Sequence, residues 1–196
     1  MSRKQIYIQS AVVIFMIVLA AASRLIPHTY NLTPVGAIAL FGGAYLGRNW
    51  KAFLIPIMAI YLSDFILNNL IYAQPGDAFA YAYDGWYWVY GSYALIVLLG
   101  AFLLKKVSVL KVVAGSLGAS AIFFLVSNFG CWPGTFTPVD TPDMIGLIQC
   151  YIAGLPFLKG TLVGDMVFSV ALFGTYALIH SKVLHLNSTK EAASLS

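Results

Sequence analysis

Apolar runs long enough to cross a bilayer recur along this chain with few polar interruptions. A helix needs about 20 apolar residues to cross about 30 Å of hydrocarbon. Five segments approach or reach that length: Ile6 to Ile26, Ala52 to Tyr72, Trp86 to Leu104, Val107 to Val126 and about Thr161 to Ile179. A sixth, Pro34 to Gly47, runs for only about 14 residues, or about 21 Å, so it can sit at membrane depth only under cover of its neighbours. In it Ala39, Gly43 and Gly47 recur every four positions, a stripe on which another helix can pack backbone to backbone. The stretch Met144 to Phe157 is apolar but too short to span, and predicts a separate surface or re-entrant helix that caps the bundle. The pattern thus predicts an all-α membrane protein: a six-transmembrane-helix bundle with a short Gly-rich second helix. Residues 1–186 form one transmembrane domain, and the polar stretch 187–196 reads as a disordered tail.

Composition agrees with that pattern. Sixty per cent of residues are hydrophobic and 9% charged, against about 25% charged in soluble domains. The 11 Lys+Arg against 7 Asp+Glu would suggest nucleic acid in a soluble protein, but no basic cluster supports such a partner. The charge excess is an orientation signal instead. Six spans place Arg3, Lys4, Arg48, Lys51, Lys105, Lys106, Lys111, Lys182 and Lys190 on one side, which the positive-inside rule assigns to the cytoplasm. Both termini are therefore expected inside, with Asp77, Asp84, Asp140 and Asp143 outside. The start of the chain has signal-peptide features, but its apolar run of about 17 residues exceeds the usual leader and reads as a retained first span. Cys131 and Cys150 lack metal or CxxC spacing; both fall outside, where a disulfide between them or two free thiols are open alternatives.

Ionisable groups at membrane depth are costly, so each needs a reason. Arg24, Asp64 and Asp165 come from three different spans and all fall in the outer half. Asn68 lies one helical turn beyond Asp64, and His28, Asn31, Asn69, Asn128, Trp132 and Lys159 lie near the outer mouth. Together they describe an outward-facing polar cavity for a small-molecule substrate, with Arg24, Asp64 and Asp165 as charge partners. The alternative is an ion pair from Arg24 to Asp64 or Asp165 that only keeps helices in register. Asn31 and Thr33, before Pro34, read as turn and helix-start residues. The cluster from Tyr81 through Tyr83 and Trp86 to Tyr90 is either an interfacial aromatic belt or a lid that stacks on a planar ligand. No HExxH, GxSxG or Walker pattern occurs, so neither an enzyme nor a cofactor is expected.

The run Arg24-Leu25-Ile26-Pro27-His28, followed by Asn31-Leu32-Thr33-Pro34-Val35-Gly36-Ala37-Ile38-Ala39-Leu40-Phe41-Gly42-Gly43-Ala44, resembles a bacterial family of small membrane proteins described only as transport proteins. Ser127-Asn128-Phe129-Gly130 and Gly164-Asp165 carry the same resemblance. More distantly, the Gly-rich second span and acid-bearing third span are similar to the substrate-binding S-components of energy-coupling factor (ECF) vitamin transporters. That likeness implies six helices, a substrate held near the outer face and residence in the bacterial cytoplasmic (inner) membrane. It also implies docking on an ECF-type energising module or another membrane partner. Many S-components dock through an AxxxA motif in the first helix, and Ile6 to Ile26 has none. A solitary cobalamin-binding kind of S-component is the relative this departure suggests, with a corrinoid as the implied substrate. The expected function is uptake of a small water-soluble, vitamin-like metabolite. A non-transporting membrane assembly protein is the alternative, and an acid/base enzyme built on Asp64 and Asp165 ranks last.

Overall fold

A computed structural model describes residues 3–26, 32–47, 50–132 and 143–194. The expected site residues His28 and Asn31 lie outside the described residues. Six helices follow in order: α1 (Arg3–Ser23), α2 (Val35–Tyr45), α3 (Trp50–Ile66), α4 (Trp86–Leu103), α5 (Val109–Cys131) and α6 (Met144–Ser194). There are no strands among the described residues. All but α2 are long and apolar enough to cross a membrane, α3 together with the turn that continues it to Ile71, and large apolar side chains such as Phe15, Leu62, Phe102 and Val170 face outward. Such a surface suits lipid and not water. The protein is a multi-pass all-α membrane bundle.

α2 is the axle of this bundle and touches each of the other five helices. Its residues from Val35 to Gly43 are all buried, which is how a helix too short to span on its own is accommodated. Without a hydrophobic force between helices in lipid, close backbone approach must hold them together. Glycines permit it. A Cβ on Gly43 would strike the Val97 carbonyl of α4, and one on Gly100 of α4 would strike the Leu40 carbonyl of α2, so the two helices cross with glycine facing backbone in both directions. Gly42 makes room in the same way for the Pro56 ring of α3. The stripe read from the sequence is therefore shorter than its spacing implied. Ala39 and Gly43 pack, whereas Gly47 lies past the helix end with a left-handed φ of 81°. Around this axle Phe41, Tyr45, Phe173 and Tyr176 interlock edge-on or tilted, with Phe41 to Phe173 at 5.1 Å and Tyr45 to Tyr176 at 4.2 Å.

Two elements differ from the sequence reading. The last five residues of the third span, Leu67–Ile71, wind as a π-helical turn in which the Tyr72 N–H donates to the Leu67 carbonyl at 2.8 Å. The expected capping helix is not separate: Met144 to Phe157 is the beginning of α6, which passes through Pro156 unbroken. A proline removes one backbone donor and can kink a helix without ending it. The apolar stretch Met144–Lys182 has 39 residues, or about 58 Å, well beyond about 30 Å of hydrocarbon, so α6 must tilt or emerge from the bilayer. Cys131 at the end of α5 and Cys150 early in α6 are not joined in a disulfide and lie within hydrogen-bond reach of each other.

Candidate functional site

Two of the three charges expected at membrane depth meet. The Arg24 guanidinium, just past the end of α1, lies 2.6 Å from Asp64 Oδ1 on α3, and both side chains are about one-tenth exposed. The second Arg24 terminal nitrogen donates to Ser63 Oγ, which in turn donates to the Ile60 carbonyl at 2.7 Å. Asp64 Oδ2 accepts a hydrogen bond from the Tyr90 hydroxyl of α4 at 2.6 Å. Three helices are thus tied through one carboxylate whose two oxygens each have a partner, as a buried charge requires.

Asp165 belongs to a different cluster, and no bridge joins it to Arg24. Its carboxylate accepts from the backbone amides of Gly36 and Ala37 at the start of α2, and from Ser120 Oγ of α5 at 2.6 Å. Those amides are the orphan donors of the first helical turn, which a local side chain usually satisfies. Here the helix starts at Pro34 with no side-chain cap, and a residue far along the chain supplies one. Thr33, read from the sequence as a helix-start residue, does not cap α2. Gly36 is glycine because a Cβ there would strike the Asp165 carboxylate. Tyr93, buried and stacked on Phe123, is in electrostatic range of both clusters.

Asp64 also lines a cavity of about 400 Å³ between α3 and the loop leading into α4. Tyr61, Phe65 and Asn68 share the Asp64 side of α3, while Tyr81, Tyr83, Trp86 and Tyr90 close the opposite wall. The loop is held in place by α3. The Asn69 side chain donates to the Ala80 carbonyl at 2.8 Å and accepts from the Ala80 N–H at 2.9 Å, while the Tyr61 hydroxyl donates to the Tyr81 carbonyl. The π-helical turn places Asn68 toward the cavity and its neighbour Asn69 toward the loop. Burial, and then the adjacent Asp64 carboxylate, push the Tyr83 phenol above its ordinary range, with Arg24 opposing. It stays a neutral donor at any physiological pH. Asn69→Ala is expected to speed amide exchange at Ala80 roughly tenfold while the helices keep their protection. Hydrogen-exchange mass spectrometry of the intact protein checks this.

The remaining expected site residues lie elsewhere. Asn128 donates to the Phe124 carbonyl of its own helix and lines a smaller cavity of about 200 Å³ with Phe123, Gly154 and Thr161. Trp132 donates its indole N–H to the Asp143 carbonyl and packs on Phe129. The sequence reading missed Tyr61, Ser63 and Ser120 and saw Tyr90 only as part of the aromatic cluster. A helical-wheel signal existed for Tyr61, Asp64, Phe65 and Asn68, which share one face of α3, and for Ser116 with Ser120 on α5.

Residues 4–190, nearly the whole chain, match the profile of a family of unknown function, DUF6580. The chain belongs to the DUF6580 family. No curated protein and no solved structure matches it. For this DUF6580 protein the cavity over Asp64 is therefore the starting point for a functional reading.

Proposed function

We propose that this DUF6580 protein is a substrate-binding transporter of the bacterial inner membrane, which takes up a small water-soluble metabolite from the outer side. The observation that carries the reading is the placement of a buried, paired carboxylate in the wall of an aromatic-lined cavity. An apolar pocket with a few fixed polar groups is the usual form of a small-molecule site, and about 400 Å³ lies within the size range such sites occupy. That volume favours a compact vitamin-like molecule over a corrinoid, which the more distant S-component resemblance would suggest. Asp64, Asn68, Tyr83 and Trp86 are the binding residues in this reading. Arg24 acts through Asp64, and Asp165 positions α2. Since α1 lacks the AxxxA motif, any energising partner would dock by another surface.

Native mass spectrometry of detergent-extracted protein tests the proposal. The wild type is expected to retain a small molecule that Asp64→Asn loses, with both proteins eluting as the same folded species. Because Asp64→Asn leaves Arg24 without its counter-ion, the double variant Arg24→Gln/Asp64→Asn serves as the charge-balanced control and should lose the molecule too. Retention by both variants refutes the role of Asp64. A second reading, the non-transporting assembly protein, draws on the internal satisfaction of both Asp64 oxygens by Arg24 and Tyr90. It requires a stoichiometric membrane partner that co-purifies and no small molecule in the cavity.

A further inference from the structure

The lining of the Asp64 cavity defines a ligand class. Six rings surround it: Tyr61, Phe65, Tyr81, Tyr83, Trp86 and Tyr90. Neighbouring rings form a collar, with Trp86 to Tyr90 at 6.1 Å, Tyr90 to Tyr61 at 6.4 Å and Tyr61 to Phe65 at 6.3 Å between centroids. Among the described residues, no lysine, arginine or histidine lines the space. The ion pair behind it is polarised in one sense: Asp64 is part of the wall while Arg24 is not, so the carboxylate end of the dipole faces the cavity. The loop above bears Asp77 and Asp84, both exposed, and no basic residue between 73 and 85. Carboxylate and rim therefore present negative potential, and each ring that turns a face inward adds to it.

In such a site an anion would be desolvated beside a carboxylate with only neutral donors, the Asn68 amide and tyrosine hydroxyls, to replace its water, and a neutral molecule would gain burial and those hydrogen bonds. A cation gains burial and the attraction of several ring quadrupoles as well. A metal ion does not fit the donor set, because the one carboxylate is already shared by Arg24 and Tyr90, and no group of three or more His, Cys, Asp or Glu side chains gathers among the described residues. We propose that this cavity selects an organic cation, a quaternary or protonated amine carried on an apolar or aromatic body. The proposal rests on the reading of the cavity as the substrate site.

Calorimetric titration of the full chain in lipid nanodiscs, corrected against empty nanodiscs, tests the class with three para-substituted phenols of one shape: the trimethylammonium cation, its neutral tert-butyl isostere and the matching sulfonate. The cation is expected to bind roughly tenfold tighter than the tert-butyl compound, and the sulfonate more weakly than either. Trp86→Leu, at a half-exposed rim position that tolerates the change, is expected to bring cation and isostere within about twofold. Equal or tighter binding of the neutral or anionic probe, or an unchanged cation preference in Trp86→Leu, overturns the class while leaving a ligand site in place. Binding of none of the three above the empty-nanodisc signal overturns both the class and the substrate-site reading.

Discussion

Asp165→Ala is expected to lower the stability of the folded bundle by about 3 kcal/mol or more, measured by thermal unfolding in detergent followed by circular dichroism. The substitution strands the Gly36 and Ala37 amides and the Ser120 hydroxyl, all of them buried. It also takes negative charge from the positive end of α2, where the helix dipole favours it. Since α2 contacts every other helix, loosening its first turn loosens the whole assembly. Asp165→Asn keeps one oxygen acceptor and should fall between wild type and alanine. Ligand binding lost in Asp165→Ala with an unchanged melting temperature would contradict the capping role and return Asp165 to the substrate site.

Gly43→Ala should destabilise the bundle by about 1–3 kcal/mol even though alanine is the better helix former. The added methyl group meets backbone atoms at Val97, which cannot rotate away as a side chain would. Relief requires moving α4 as a body from α2. Gly100→Ala injures the same crossing from the other side, so the two changes together should cost less than the sum of the singles. Gly91 supplies the control: it lies on the same helix α4, but a Cβ there meets nothing within 4 Å. Gly91→Ala should be neutral or slightly stabilising. Equal unfolding curves for Gly43→Ala and Gly91→Ala would remove the glycine crossing as the reason for the short second helix.

The two clusters explain why the site was only partly legible in the sequence. Depth along each span is a one-dimensional property, and by it Arg24, Asp64 and Asp165 are expected in the same half of the bilayer. Partner choice is azimuthal. A helix presents a new direction every 100° or so, and nothing local fixes which face of α6 meets α2 and which face of α3 meets Arg24. For that reason Asp165 could be read as a partner of Arg24, although it caps a helix more than a hundred residues earlier in the chain. Asn128 and Trp132 lie against α6 and Asp143 and not over Asp64. The fusion of the expected capping helix with α6 has a related cause: Met144 to Phe157 is too short to span by itself and so reads as a separate element, yet the helix continues through Pro156 into the last span.

The sequence alone determined the solvent of this protein, its helical class, the existence of a short helix that needs cover, and the polar residues that demand explanation. Hydropathy and span length follow from transfer to hydrocarbon and from the rise per residue, and neither depends on neighbours. Only the tertiary structure decided that α2 is the axle, that Asp64 and not Asp165 takes Arg24, and that a collar of rings encloses one carboxylate. Those outcomes depend on helix rotation and on backbone approach at Gly36, Gly43 and Gly100, which are fixed when the helices pack together and not before.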